Sequence, residues 1–224
     1  ELQDEADRRT LFTSALTHEL KTPITSISGN AQTLLLTKMD EEEREDALLR
    51  IDAECIRIER LSQKLMKLIV LRQKDSIPLE AYRVSDLLES VRLSSAEQLR
   101  KAGLTLTIYN TMDTLVMDKD LLSSLLLNLI DNARKASSLG DTIELSAEGN
   151  SITVKDHGKG IPPEELNKIT EPFYMVDKSR SKKAGGIGLG LALVDELARL
   201  HGARLIFEST LDEGTRVKVV FERV

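Results

Sequence analysis

Two long amphipathic helices are predicted for the first third of the chain. Apolar residues recur there every three or four positions, the spacing that places side chains on one face of a helix. The first stripe comprises Phe12, Leu16, Leu20, Ile24, Ile27, Ala31 and Leu34, and the second comprises Leu48, Ile51, Cys55, Ile58, Leu61, Leu65 and Leu68. The acidic run at residues 40–43 suits the start of the second helix, where negative charge complements the helix dipole.

A short polar connection between two such helices predicts an antiparallel helical hairpin. Because two helices alone bury little apolar surface, we expect a second copy to complete a four-helix bundle. The predicted assembly is therefore a homodimer with twofold symmetry.

The pattern changes at residues 75–78, after which helix and strand signals alternate. Helices are predicted at 84–99, 118–137 and 188–200, and strands at 104–109, 142–147, 151–155, 203–209 and 216–221. Residues 158–186 lack sustained periodicity, and a loop of this length is often functional. The sequence therefore predicts a helical domain at 1–76 and an α/β domain at 77–224.

Composition excludes several classes of protein. Of the 224 residues, 41% are hydrophobic and 30% are charged, which excludes wholesale disorder. The net charge of −6 argues against a general nucleic-acid binder, so no nucleic-acid partner is expected. The single cysteine excludes an intrachain disulfide, and no long apolar run or signal peptide is visible. We expect a soluble intracellular chain.

The first candidate site is His18-Glu19-Leu20-Lys21-Thr22-Pro23 on the first helix. An imidazole can act as a nucleophile, and a neighbouring carboxylate can orient it or accept its proton. Thr22 lies one turn after His18, where a zinc protease of the His-Glu-x-x-His type would need a second histidine. A protease is therefore excluded, whereas a surface histidine without chemistry remains an alternative.

A second candidate site lies on the predicted helix 118–137. Asn128 and Asn132 are four residues apart and share one helix face, and Lys135 follows on the same side. Buried amides need partners, and amide oxygens are suitable ligands for Mg²⁺. The alternative is a pair of asparagines that only stabilise the fold.

Three further segments are rich in glycine or lysine. Asp156-His157-Gly158-Lys159-Gly160 ends a predicted strand, where the carboxylate can accept a hydrogen bond from an exocyclic amine. Residues 185–191 open a helix with four glycines, and backbone amides at such a start bind phosphate. Lys178, Arg180, Lys182 and Lys183 precede it and suit a polyphosphate. Ordinary turns and a solvated loop are the alternatives.

Together these segments resemble, in order and over nearly the whole chain, the cytoplasmic core of the sensor histidine kinases of two-component systems. Residues 18–23 are similar to the H box of that family, 128–135 to the N box, 156–160 to the G1 box, 171–174 to the F box and 186–191 to the G2 box. Gly214-Thr215 resembles the final glycine motif. The resemblance implies a two-layer α/β sandwich with a mixed sheet for the second domain.

The resemblance also implies roles for individual residues. His18 would accept the phosphoryl group, Glu19 would be its general base, and Thr22 would position water for dephosphorylating a response regulator. Asn132 would hold Mg²⁺, with Asn128 and Lys135 near the phosphates of ATP. The remaining nucleotide-binding residues would be Asp156, which reads the adenine amine, with Gly158, Gly160, Phe173, Tyr174, Gly186, Gly188, Leu189, Gly190 and Thr215.

One position departs from the family. Many members carry arginine directly after the Phe-Tyr pair of the F box, and this chain has Met175 there. Another cation must then meet the charge of the transition state. We expect Lys178 or Arg180 to supply it.

The implied function is ATP-dependent autophosphorylation of His18, followed by transfer to an aspartate on a response regulator receiver domain, with phosphatase activity toward it. Residues 75–78 would act as the hinge. This segment would be cytoplasmic, and an upstream sensor region would anchor the full protein in the membrane. Alternatives are a gyrase- or chaperone-type ATPase, which would carry glutamate in place of Asn128, and a dimeric scaffold without activity.

Overall fold

The computed structural model describes residues 2–176 and 186–222, which fall into two compact units. The first unit contains helix α1 (Leu2–Leu36) and helix α2 (Glu41–Arg72) as far as Lys67. The second unit begins at Leu68, in the last turns of α2. The two long helices confirm the prediction from the apolar stripes.

A reciprocal pair of hydrogen bonds starts α2. The Glu43 amide donates to Asp40 Oδ1 at 2.9 Å, and the Asp40 amide donates to Glu43 Oε2 at 3.2 Å. This capping box satisfies two amides that the helix itself leaves without partners. The acidic run therefore begins the second helix, as the sequence predicts.

The helical hairpin covers little of its own apolar surface. On α1, the described side chains that are buried are Glu19 and Pro23, and on α2 within this unit they are Ala47 and Leu61. Ile24, in the middle of the predicted stripe, is 55% exposed. Cys55, on the apolar stripe of the second helix, is also exposed in the single chain.

The second unit is built on a mixed five-stranded sheet. Its strands are β2 (Thr105–Asn110), β4 (Thr142–Glu148), β5 (Ser151–Lys155), β6 (Ala203–Thr210) and β7 (Gly214–Phe221), in the order β2-β4-β5-β7-β6. Strand β2 pairs with β4 in parallel, and the other neighbours are antiparallel. The mixed sheet confirms the expected fold class.

Three helices pack on this sheet and on one another. Helix α3 (Val84–Ala102) contacts β2, α4 (Lys119–Ala136) contacts β5, and α5 (Gly190–Leu200) contacts β6 and α4. Between them lies an aliphatic core that includes the fully buried side chains Leu87, Leu122, Leu125, Leu126, Ile143, Leu145 and Ile152. Burial of this apolar surface is the main force that holds the unit together.

Three elements of the second unit are absent from the sequence prediction. Strand β1 (Glu80–Arg83) and strand β3 (Thr114–Met117) form a separate two-stranded antiparallel sheet. A 3₁₀ turn (Pro163–Glu165) lies in the loop that follows β5.

The end of α2 is anchored within the second unit. Leu68 and Leu71 are buried there, and Arg72 Nε lies 3.9 Å from Glu196 Oε2 on α5. Arg199, which also pairs with Glu196, donates from Nη2 to the Lys74 carbonyl at 2.9 Å. The chain therefore enters this unit through a helical turn fixed by both apolar and ionic contacts.

Within the described ranges, no helix combines the length and the apolar character that crossing a lipid bilayer requires.

Candidate functional site

The H-box residues form one exposed turn of α1. The His18 side chain is 72% exposed, and its Nδ1 lies 3.7 Å from Oε1 of Glu19, whose side chain is only 8% exposed. The Thr22 hydroxyl donates to the His18 carbonyl at 3.2 Å. The structure thus brings together an accessible imidazole, a buried carboxylate and a hydroxyl within one turn.

The surface next to His18 is lined by small polar side chains. Thr10, Thr13, Ser14, Thr17 and Lys21 border a hollow beside the imidazole. These residues share one helix face because they recur at intervals of three or four positions. The described lining of this hollow therefore offers hydroxyl groups and the ammonium group of Lys21 beside the imidazole.

Glu19 has a partner on the second helix that the sequence motifs do not include. Arg57 of α2 donates from Nη2 to Glu19 Oε2 at 3.0 Å, and its side chain is only 19% exposed. Glu19 and Arg57 lie at matching distances along the chain from the connection between the helices. That symmetry of an antiparallel hairpin was the signal that could have identified the pair.

Asn128 and Asn132 of α4 face the first residue of α5. Asn128 Nδ2 donates to the Ser124 carbonyl at 2.8 Å, which turns its Oδ1 away from its own helix. A Cβ placed on Gly190 would lie 3.5 Å from Asn132 Oδ1 and 3.8 Å from Asn128 Oδ1. The two predicted amides therefore converge on one place, at the start of a helix.

This place has the chemistry of a site for Mg²⁺ and phosphate. Among the described residues, the buried Asn132 Nδ2 finds no hydrogen-bond partner, so the amide is available for a ligand. No described side chain caps α5 at Leu189, so its first amides can bind an anion. Among residues 2–176 and 186–222, no group of three or more His, Cys, Asp or Glu side chains could hold a metal ion. An amide oxygen together with phosphate oxygens fits the way Mg²⁺ is usually bound.

Lys135, at the end of α4, forms an ion pair with Asp131, which was not predicted as a site residue. Its Nζ lies 2.7 Å from Asp131 Oδ2, and Arg134 Nη2 lies 2.7 Å from Asp131 Oδ1. Burial acts to raise the pKa of Asp131, but the two cations outweigh it, so that its pKa is lowered. The spacings of three and four residues on α4 were a local signal for both pairs.

Asp156 is buried directly after β5, and one of its carboxylate oxygens accepts two backbone hydrogen bonds. Its Oδ1 accepts from the Gly158 amide at 2.9 Å and from the Thr215 amide at 3.2 Å. Burial is the largest influence on its pKa and raises it, although the two backbone amides act in the opposite direction. The bonds fix the carboxylate plane and direct Oδ2 away from these amides.

Thr215 belongs to a small hydroxyl network beside Asp156. Its Oγ1 lies 2.8 Å from Ser209 Oγ, directly across the β6–β7 pair. Ser209 Oγ also donates to the Gly214 carbonyl and accepts from the Ile161 amide, each at 2.8 Å. Ser209 was not predicted as a site residue, because its partners depend on the register of β6 against β7.

Gly158 and Gly160 line the loop next to Asp156, and Gly160 needs to be glycine. Its φ is +66°, and an added Cβ would collide with the Thr210 carbonyl. A side chain there would push apart the G1 loop and the end of β6.

The F box and the G2 box are joined through their backbones. The Phe173 amide donates to the Gly188 carbonyl at 2.8 Å, and Phe173 and Leu189 are both buried. Gly188 has a φ of +74°, and a Cβ on it would lie 2.6 Å from the Phe173 carbonyl carbon. These two motifs therefore meet in the fold although many residues separate them.

Three further positions lie in or next to the F and G2 boxes. Tyr174 donates its amide to the Glu171 carbonyl at 3.1 Å, and Gly186 and Met175 are half-buried. Lys178 and Arg180, predicted to replace the missing arginine, lie outside the described residues.

Two family models match the chain. Residues 8–68 match the His Kinase A (phospho-acceptor) domain, and residues 117–224 match the Histidine kinase-, DNA gyrase B-, and HSP90-like ATPase family. The first match contains His18, and the second contains Asn128, Asn132 and Asp156.

Curated and solved proteins agree with these matches. Histidine protein kinase SaeS of Staphylococcus aureus (strain USA300) is 30% identical over 236 aligned positions, which cover 100% of this chain and 66% of the relative. The chain thus spans just under two thirds of the length of this relative.

Two solved structures share the fold. The Acinetobacter baumannii histidine kinase AdeS has a TM-score of 0.67 at 24% identity, covering 92% of this chain and 98% of that chain. The histidine kinase ThkA, solved in complex with the response regulator protein TrrA, has a TM-score of 0.78 at 19% identity, covering 100% and 66%. Because both domain families match in order and a histidine kinase relative aligns with the whole of this chain, the chain belongs to the histidine kinases.

Proposed function

We propose that this chain transfers the γ-phosphoryl group of ATP to His18 and then to an aspartate of a response regulator receiver domain. The observation that carries the proposal is the accessible imidazole of His18 with the buried carboxylate of Glu19 beside its Nδ1. A carboxylate at Nδ1 favours the tautomer that leaves Nε2 unprotonated and nucleophilic.

The proposed chemical step is an in-line displacement at phosphorus. A bond forms between Nε2 of His18 and the γ-phosphorus, and the bond to the β–γ bridging oxygen breaks, so that ADP leaves. The proton on Nδ1 passes to Glu19. Catalysis of this kind consists mostly of positioning and charge neutralisation.

The second unit supplies the proposed nucleotide site. Asp156 accepts the adenine amine at Oδ2, since Oδ1 is occupied by the Gly158 and Thr215 amides. Thr215 adds its hydroxyl to the same end of the site. Gly158, Gly160, Phe173, Tyr174, Gly186, Gly188, Leu189 and Gly190 shape the loops that close around the nucleotide.

The phosphates would lie between α4 and the start of α5. Asn128 and Lys135 would bind phosphate oxygens, and Lys135 would exchange its contact with Asp131 for one with the nucleotide. Asn132 would hold Mg²⁺, which when bound neutralises phosphate charge. We also propose that Lys178 or Arg180 supplies the cation that Met175 cannot.

The partners are proposed on separate grounds. The exposed apolar residues of the hairpin, such as Ile24, Leu48 and Leu49, support a homodimeric four-helix bundle. The complex of ThkA with TrrA supports a response regulator as the phosphoryl acceptor. Thr22, exposed beside His18, would position water for a phosphatase reaction. A cytoplasmic location and a membrane-anchored sensor region stay predictions.

The test is incubation with Mg²⁺ and γ-labelled ATP. The unaltered chain and His157→Gln should acquire acid-labile label, because the exposed ring of His157 contacts Glu144 and takes no part in the proposed chemistry. His18→Gln should acquire none. Label that persists in His18→Gln would contradict the proposal, and ATP hydrolysis without labelled protein would favour a gyrase- or chaperone-type ATPase.

A further inference from the structure

The carboxylate beside the phosphoacceptor is buried, and burial of a charge needs compensation. Glu19 is 7% exposed on a helix whose neighbouring His18 is largely in solvent. An ionised carboxylate taken out of water is costly unless it is paired and hydrogen-bonded. The guanidinium of Arg57, 3.0 Å from Oε2, provides both the charge and the hydrogen bond.

The two oxygens of Glu19 point in different directions. Oε2 accepts from Arg57 on α2, whereas Oε1 lies 3.7 Å from Nδ1 of His18 on α1. A carboxylate held at one oxygen by a planar guanidinium has little freedom to rotate. The other oxygen is thereby kept toward the imidazole, and a small movement of the exposed ring would bring it within hydrogen-bond distance.

Arg57 is itself fixed by a second carboxylate. Its Nη1 lies 3.8 Å from Glu54 Oε2, one turn earlier on α2. That oxygen is buried and makes no hydrogen bond among the described residues. The guanidinium therefore lies between Glu54 of its own helix and Glu19 of α1.

We propose that Arg57 is a positioning residue for autophosphorylation: it holds Glu19 so that Oε1 accepts the Nδ1 proton of His18 as the phosphoryl group arrives. The inference rests on the proposed function, since it assigns a role within that reaction. It makes the second helix of the hairpin responsible for the geometry of the proton acceptor on the first.

The experiment measures autophosphorylation kinetics of the full chain with Arg57→Gln, Arg57→Lys and the control Arg50→Gln. Arg50 lies two turns earlier on α2, where it forms an exposed pair with Asp46 at 4.0 Å. Arg57→Gln should lower kcat on the order of ten- to a hundred-fold, because a misplaced proton acceptor loses much of its effect. KM for ATP should stay unchanged, Arg57→Lys should recover part of kcat, and Arg50→Gln should match the unaltered chain.

A double-variant comparison separates positioning from a direct contact with the nucleotide. If Arg57 acts through Glu19, adding Arg57→Gln to Glu19→Gln should cause no further loss of kcat. An additional loss, an unchanged kcat in Arg57→Gln or a raised KM in that variant would overturn the proposal.

Three further outcomes are distinguishable. If Arg57→Gln alone does not fold, the comparison of Glu19→Gln with the double variant still decides, because Glu19→Gln removes the buried charge that the guanidinium stabilises. If neither the unaltered chain nor Arg50→Gln is labelled, the proposed function fails. If both are labelled and Arg57→Gln equals them, only the role of Arg57 fails.

Discussion

His18 is the proposed phosphoacceptor and Asp156 is proposed to bind the adenine of ATP. The two side chains differ sharply in their exposure to solvent. The His18 side chain is 72% exposed on a hairpin that buries little, whereas Asp156 is 6% exposed and accepts two backbone amides. The proposed phosphoacceptor is therefore accessible to successive partners, and the carboxylate proposed to bind the adenine amine is already fixed by backbone hydrogen bonds. Substitutions of buried residues in the second unit should consequently change stability, and at Asp156 ATP binding as well, whereas those at exposed hairpin positions should change stability little.

The largest effect on stability is expected from a core substitution in the second unit. Leu125 is fully buried on α4, and Leu125→Ala removes apolar contacts and leaves a cavity. The expected loss is about 2–5 kcal/mol of unfolding free energy, measured by chemical denaturation. Leu93→Ala makes the same chemical change at a position that is 62% exposed, and it should have little effect. Equal losses from the two variants would show that the core assignment is wrong.

Asp156→Asn is expected to change stability less than Leu125→Ala does, and to change stability and ATP affinity in opposite directions. Burial raises its pKa, so its contribution to stability is fully present below the ordinary value of 3.8 and declines as the pH rises through the raised value. Asp156→Asn should therefore not lower the melting temperature at neutral pH, and should raise it slightly. Its amide would still accept both backbone bonds at the oxygen, but its NH₂ group would face the adenine amine.

Asp156→Asn should weaken ATP binding, although it does not lower stability. Loss of a hydrogen bond to a charged acceptor costs about 1.5–3 kcal/mol, so ATP affinity should fall roughly ten- to a hundred-fold, as measured by calorimetric titration. Glu148→Gln, on the exposed end of β4, is the matched control and should leave the affinity unchanged. Unchanged affinity in Asp156→Asn would remove Asp156 from the nucleotide site.

The smallest effect is expected at the connection of the hairpin. Asp40→Ala removes the acceptor for the Glu43 amide and should destabilise the start of α2 by about 0.5–2 kcal/mol. Hydrogen exchange at that amide should accelerate, whereas the amides of α4 should not respond. Glu42→Ala, an acidic first-turn residue outside the capping box, should change the exchange rate much less. Equal acceleration in Asp40→Ala and Glu42→Ala would contradict the role of the capping box.

Most helices could be predicted from the sequence because their signals are local. The helix predicted at 118–137 is observed as Lys119–Ala136, with Asp118 accepting from the Leu121 amide at its start. Strand β1 escaped prediction because its four residues are all exposed and show no alternation, and only pairing with β3 makes it a strand.

The residues of the candidate site likewise divide into those with a local signal in the sequence and those placed by long-range packing. Asn128 and Asn132 could be placed together because four residues on a helix bring them to one face. Ser209 could not be linked to Thr215 without knowing the register of β6 against β7. Arg57 needed the alignment of two helices, and Cys55 lies on the apolar stripe by spacing yet is exposed in the single chain.

The anchoring of the last turn of α2 has a practical consequence for dissecting the protein. A fragment intended to contain only the nucleotide-binding unit, if cut at residue 77, would lose Leu68, Leu71 and the Arg72 contact with Glu196. It would expose the apolar surface that these leucines cover and leave Glu196 with one cation fewer. Such a fragment should aggregate more readily than one that begins several residues before Leu68. The choice of the first residue can thus decide whether the isolated unit is soluble enough for ligand titration.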